Sequence, residues 1–225
     1  MSKNIAIDGP AGAGKSTIAK AVAKKLGFIY VDTGAMYRAM ALYLIRNNID
    51  KHDKEKIEKA CEDAEISIDY VDGVQVVLLF GENVNPFLRT EEVGDMASVS
   101  SANQKVREKL VSLQQKLAAL KSVVMDGRDI GTVVLPDAEC KIYLTADSAV
   151  RAKRRYDELV AKGEKCDLEQ IEKDIIKRDH QDMTREISPL KQAEDAILVD
   201  TSYMSVDEVE EKILEIAKKC FEKGN

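Results

Sequence analysis

An apolar run, Ile5-Ala6-Ile7, leads into Gly9-Pro10-Ala11-Gly12-Ala13-Gly14-Lys15-Ser16-Thr17, so the chain opens with a G-x-x-x-x-G-K-S/T pattern between a strand and a helix. That spacing constrains the fold more than any other feature of the sequence. Its glycines let successive backbone N–H groups turn inward onto phosphate oxygens, and the helix that follows points its positive end at the same anion. Lys15 can reach terminal phosphates, and the Ser16 hydroxyl is a ligand type for Mg²⁺. A glycine loop without function would need neither the strand before it nor the helix after it. The implied ligand is a nucleotide polyphosphate, held by residues Gly9 to Thr17.

Composition excludes several other classes. With 225 residues, 44% hydrophobic and 33% charged, the chain can bury a sizeable core as one domain with an insertion or as two small domains. A formal charge of −6 argues against a general binder of nucleic acid or membrane, so any anion site must be built locally. No apolar stretch has transmembrane length and the amino terminus lacks the apolar core of a signal peptide, which points to the cytoplasm. Cys61, Cys140, Cys166 and Cys220 lack the paired spacing of a zinc site and read as buried or free thiols. His52 and His180 are far apart and read as surface or packing residues.

Strands and helices alternate along the chain. After the first strand, Ile18, Ala19, Val22, Ala23 and Leu26 line one helical face and Gly27 supplies the stop. Phe28 to Val31 reads as a second strand, followed by a helix through Met36 and Met40. Val106, Leu110, Leu113, Leu117 and Leu120 mark a long amphipathic helix. Ser122 to Met125, Lys141 to Leu144 and Ala196 to Val199 are apolar runs of strand length. The last helix opens with a capping box at Ser205 and Glu208 and is expected to bury Val209, Ile213, Ile216 and Cys220. Together these imply an α/β domain with a parallel sheet wrapped by helices. Between about Cys61 and Val99 the rhythm breaks: a strand, an Asp72-Gly73 turn and the apolar strand Val74 to Phe80 predict a small antiparallel insertion, with a short third strand before Pro86.

Arginine placement is the second informative feature. Arg38 follows the Asp32-Thr33-Gly34 turn, Arg89 stands at the exit of the insertion, and Arg128 lies within Asp126-Gly127-Arg128-Asp129. Arg178, Asp182 and Arg185 are spaced to share one helix face. Beside a phosphate loop, planar guanidinium forks read as phosphate contacts rather than as a solvated face.

The chain resembles the bacterial cytidylate kinases of the nucleoside monophosphate kinase family. The likeness is carried by the phosphate loop, Asp32-Thr33-Gly34-Ala35-Met36-Tyr37-Arg38, Leu88-Arg89-Thr90, Asp126 through Val134, and Arg178-Asp179 to Arg185. It implies a P-loop NTPase-type core at residues 1–60 and 100–225, an NMP-binding insertion at about 60–100 and a short helical lid at about 151–185. One departure is Thr33, where related enzymes often carry serine.

The resemblance further implies that Arg107, Asp129, Ser98 and Thr33 hold a cytosine ring with Tyr37 beside it, and that Asp182 and Arg178 lie near ribose hydroxyls. Arg38, Arg128 and Arg185 would take the acceptor phosphate. Lys15, Mg²⁺ and the lid arginines Arg151, Arg154 and Arg155 would balance charge during phosphoryl transfer from ATP, with Ser16 and Asp126 serving the metal. The expected partners are the small molecules CMP, dCMP and ATP, with no nucleic acid or membrane, and the chain is expected to act as a monomer. Two further enzyme readings and one non-catalytic reading stand beside this one. A kinase of a hydroxyl acceptor would need a carboxylate base, and a GTPase switch would need Asn-Lys-x-Asp and Asp-x-x-Gly segments, which are not found in the expected places. A non-catalytic nucleotide-binding regulator would have no use for Lys15 and the arginine set.

Overall fold

A computed structural model describes residues 2–223. In chain order its elements are β1 (Asn4–Asp8), α1 (Lys15–Leu26), β2 (Ile29–Asp32), α2 (Thr33–Arg46), α3 (Lys54–Asp63), β3 (Ile66–Val71), β4 (Val74–Leu79), β5 (Glu82–Asn83), α4 (Glu91–Ser100), α5 (Gln104–Leu120), β6 (Val123–Gly127), β7 (Cys140–Thr145), α6 (Ser148–Ala161), α7 (Leu168–Thr184), β8 (Ile197–Asp200) and α8 (Val206–Lys223). They form two compact units, one made of residues 3–28 and 124–223, the other of residues 29–123. No helix among the described residues is long and apolar enough to cross a membrane.

Within the first unit the sheet runs β6-β1-β7-β8. β1 pairs with β7, and β7 with β8, in parallel. Ile5, Ala6 and Ile7 are wholly buried, as a central strand covered on both faces requires. Helix α1 buries Ile18, Ala19, Val22 and Ala23 and packs against α8. The α8 capping box is in place, with the Glu208 N–H donating to Ser205 Oγ and the Ser205 N–H to the Glu208 carboxylate. Its buried stripe is Val209, Ile213 and Ala217. Ile216 and Cys220, expected inside, are only half-buried. Ala217 therefore lies on the inward line of the helix, with Ile216 and Cys220 at its margins.

In the second unit β3, β4 and β5 form an antiparallel sheet, with Tyr70 opposite Gln75 and Val71 opposite Val74. Asp72 (φ 52°) and Gly73 (φ 76°) both take positive φ, the backbone that a tight two-residue hairpin demands. Helix α2 packs against α4, and α5 against α3 and α2. The α5 stripe differs from expectation. Its buried residues are Val106, Arg107, Leu110, Gln114 and Ala118, while Leu113 and Leu117 are half-exposed and Leu120 is 77% exposed. Leucine spacing alone points to a neighbouring face, because Gln114 and Arg107 are polar residues on the true inward line.

Gln114 is wholly buried, and its amide oxygen and nitrogen have no hydrogen-bond partner among the described residues. A buried amide without partners costs roughly 1–3 kcal/mol, which an apolar side chain of similar shape recovers. Gln114→Met is therefore expected to raise the denaturation midpoint, by several degrees if followed thermally. An unchanged or lowered midpoint would mean that the amide is satisfied in solution.

Candidate active site

In the first unit the loop after β1 begins at Gly9, where an added Cβ would lie 1.9 Å from the backbone oxygen of Leu144 on β7. Only glycine lets the chain pass so close. Gly12 and Gly14 have φ of 75° and 86°, and Gly14 caps α1. Lys15, the first residue of that helix, is 6% exposed, and its Nζ donates to the Pro10 oxygen at 2.7 Å, folding the side chain back over the loop. Burial, then the positive charge of Arg128, pushes the Lys15 ammonium down to about 7, against the pull of Asp126, Asp8 and Asp182. Ser16 Oγ donates to Asp126 Oδ2 at 2.9 Å, which joins a hydroxyl to a carboxylate at the carboxyl end of β6. Hard oxygen donors of this kind suit Mg²⁺. Thr17 is exposed.

The segment that follows β6 is fixed from β1. The N–H groups of Ile130 and Gly131 donate to the two carboxylate oxygens of Asp8, each at 2.7 Å. Burial pushes the Asp8 carboxyl up to about 6, which the two backbone donors and Lys15 only partly offset, while Asp129 adds to the rise. Because this value lies above the ordinary 3.8, the folded chain binds the proton more tightly than the unfolded chain. Asp8 thus contributes stability that is fully present below about pH 4 and is lost as pH rises through about 6. The stability of wild type minus that of Asp8→Asn is expected to fall by about 3 kcal/mol between pH 4 and pH 7, read from denaturation at each pH. A difference that stays flat would place Asp8 in an ordinary solvated environment.

Arg128 Nε donates to Asp182 Oδ2 at 2.7 Å, and Asp129, 4% exposed, stands 3.8 Å from Arg185 Nη2 through Oδ1. Burial alone would raise the Asp182 carboxyl, but Arg128, then Arg178 and Arg185, outweigh it and hold the group below the usual carboxylate range. Arg178, Asp182 and Arg185 are therefore electrostatic neighbours, although not as a single helix face. Arg185 lies one residue past α7 in extended conformation (φ −61°, ψ 141°), and its Nε donates to the Ser188 oxygen.

The three arginines expected of a lid have separate partners. Arg151, 6% exposed, donates to the oxygens of Ala146 and Ala11 and pairs with Asp179 at 2.7 Å, bracing the phosphate loop through its backbone. Arg154 donates to the backbone and hydroxyl oxygens of Thr201, and Arg155 pairs with Glu158 on the exposed side of α6.

The second unit holds the remaining residues. The side chain of Asp32 caps α2 by accepting from the Ala35 N–H, and its other oxygen pairs with Arg89 at 2.9 Å. That cap fixes the first turns of α2, which carry Thr33, Tyr37 and Arg38. Thr33 is buried. Arg107, 4% exposed on the first turn of α5, lies over the Tyr37 ring at 5.6 Å from its centroid and donates to the Ser101 oxygen. Ser98 is half-buried on α4, and its backbone oxygen accepts from the Ser101 hydroxyl. Sequence reasoning did not single out Asp8 or Gln75 and gave no separate role to Asp32 or Asp179. Asp8 and Asp32 do leave a signal, since each is an acidic residue closing an apolar run. Gln75 is the polar member of an inward-facing alternation with Val77 and Leu79.

A family model for cytidylate kinases matches residues 5–219. A cytidylate kinase of Caldicellulosiruptor bescii is 54% identical over 216 residues, covering 96% of each chain. That of Shouchella clausii is 49% identical over 216 residues, again 96% of each. A solved structure of an uncharacterized protein from Eubacterium ventriosum superposes with a TM-score of 0.52 at 14% identity, covering 96% of this chain and 99% of that one, a likeness of fold alone.

Proposed function

The chain belongs to the cytidylate kinase family, and from that premise we infer that it transfers the γ-phosphoryl group of ATP to CMP or dCMP, giving ADP and CDP or dCDP. The observation that carries this reading is the phosphate loop of the first unit, where Gly9, Gly12 and Gly14 take positive φ and lead into buried Lys15 at the head of α1. Such a loop turns backbone N–H groups and one cation toward phosphates.

Phosphoryl transfer asks a protein for alignment and charge neutralisation more than for covalent chemistry. We assign the backbone of Gly9 to Thr17 and the Lys15 ammonium to the donor phosphates. Mg²⁺ would be held by Ser16 and Asp126 and would neutralise charge on the donor phosphates. Arg38, Arg128 and Arg185 are assigned to the acceptor phosphate, and Arg178 and Asp182 to the ribose. Asp129 would accept from the cytosine amino group, while Arg107 donates to ring acceptors, with Ser98, Thr33 and Tyr37 completing the base contacts. Uracil would set a carbonyl against Asp129, leaving two acceptors opposed, so cytosine is preferred. Arg151, Arg154 and Arg155 are assigned to the lid at about 151–185, and residues at about 60–100 to the acceptor-side insertion. We further propose that the chain works as a cytoplasmic monomer.

No general base is required, because a phosphate monoester with a second pKa near 6 is largely ionised at pH 7. A hydroxyl acceptor would need a free carboxylate base, which Asp8 does not offer. Both Asp8 oxygens are taken by backbone N–H groups. An acceptor panel tests the assignment: CMP and dCMP are expected to support turnover with UMP well behind, whereas turnover with a sugar or other hydroxyl acceptor in place of CMP would overturn it.

A further inference from the structure

The antiparallel sheet of the second unit meets strand β2 through one cross-strand pair. Tyr70 on β3 and Gln75 on β4 are opposite one another. The Tyr70 hydroxyl donates to the Tyr30 oxygen at 3.1 Å. Gln75 takes both backbone groups of Asp32: the Asp32 N–H donates to Gln75 Oε1 at 2.8 Å, and Gln75 Nε2 donates to the Asp32 oxygen at 3.1 Å. The amide side chain thereby does for Asp32 what a neighbouring strand would do, satisfying one donor and one acceptor at a single residue. Gln75 is itself held, since its backbone oxygen accepts from Asn85 Nδ2, and Asn85 Oδ1 accepts from the Val77 N–H. It is 8% exposed, at a position where the alternation with Val77 and Leu79 calls for an apolar side chain. Burial holds the Tyr70 hydroxyl in its protonated, donating form, with its titration pushed up to about 12.

Asp32 is the residue whose side chain caps α2 and pairs with Arg89. Whatever fixes its backbone also fixes the direction in which Thr33, Tyr37 and Arg38 leave the strand. We propose that Gln75, seconded by Tyr70, is a positioning residue for the nucleoside monophosphate acceptor, aligning the first turns of α2 from the insertion without touching the substrate. This rests on the reading of α2 as an acceptor-binding element. A misplacement of about an ångström in such an element is enough to cost one or two orders of magnitude in rate.

The test is steady-state kinetics of Gln75→Ala, Gln75→Glu and Tyr70→Phe with CMP and ATP varied in turn, together with amide exchange at Asp32. Gln75→Ala is expected to raise KM for CMP by about tenfold with KM for ATP within about twofold of wild type, and to speed exchange at the Asp32 N–H. Gln75→Glu retains an oxygen for that N–H, so exchange stays slow, while losing the donor to the Asp32 oxygen still raises KM for CMP. Tyr70→Phe removes one hydroxyl and should raise KM for CMP more modestly. Should Gln75→Ala not fold, the Glu and Phe variants carry the same test. Unchanged KM for CMP in the folded variants, or KM for CMP and ATP rising together, would overturn the positioning role. Wild type without CMP-dependent turnover would instead defeat the assignment of substrate, and the inference with it.

Discussion

Lys15→Ala is expected to lower turnover with ATP and CMP by at least about a hundredfold, or more than about 2.7 kcal/mol of transition-state stabilisation, while the chain stays folded. Lys15 is buried at the head of α1 and anchored to the Pro10 oxygen, so its charge is delivered from a fixed position in a medium where charge is poorly screened. Burial and Arg128 depress its proton affinity, and a bound polyphosphate would restore the charge. Truncation also removes a costly buried ammonium, which is why activity should fall without a fall in stability. Turnover within about tenfold of wild type would remove the phosphate-loop reading.

Asp129→Ala is expected to lower kcat/KM for CMP by about 1–3 kcal/mol, roughly 5- to 150-fold, and to narrow the preference for CMP over UMP. Asp129 is buried and follows Arg128 directly, on a segment whose next two N–H groups are pinned by Asp8. Arg185 would lose a carboxylate 3.8 Å away, and that part of the effect should fall on both acceptors alike. The ratio of kcat/KM for the two acceptors therefore isolates the contact with the base. Equal losses for CMP and UMP would place Asp129 away from it.

Much of this was legible because backbone needs leave strong marks in sequence. Gly9 stands where any Cβ would meet the Leu144 carbonyl, and Asp72-Gly73 supplies two positive φ angles for a hairpin, so neither position has many solutions. Strand boundaries were less legible for one repeated reason. Apolar runs stop at polar residues, whereas the strands continue to Asp8, Asp32, Gly127 and Asp200. Two of those terminal aspartates hold segments that carry candidate residues: Asp8 holds Ile130 and Gly131, and Asp32 caps α2. The inward line of α5 was misread because Gln114 and Arg107 sit on it, and burial of a polar side chain is a tertiary outcome that periodicity does not carry. Arg185 was placed on a helix that ends one residue earlier, since spacing cannot show where the backbone turns extended. The partners of Arg151 and Arg154 depend on contacts far along the chain, at Ala11, Asp179 and Thr201, and no local pattern reports them, whereas Arg155 pairs with Glu158 three residues on.

The most direct measurement is ADP release from ATP and Mg²⁺ by the purified chain, with and without CMP, with CDP quantified in the same samples. Phosphoryl transfer to CMP predicts ADP release that depends on CMP and matches CDP mole for mole. ADP released at the same rate without CMP, or no release in its presence, would contradict it.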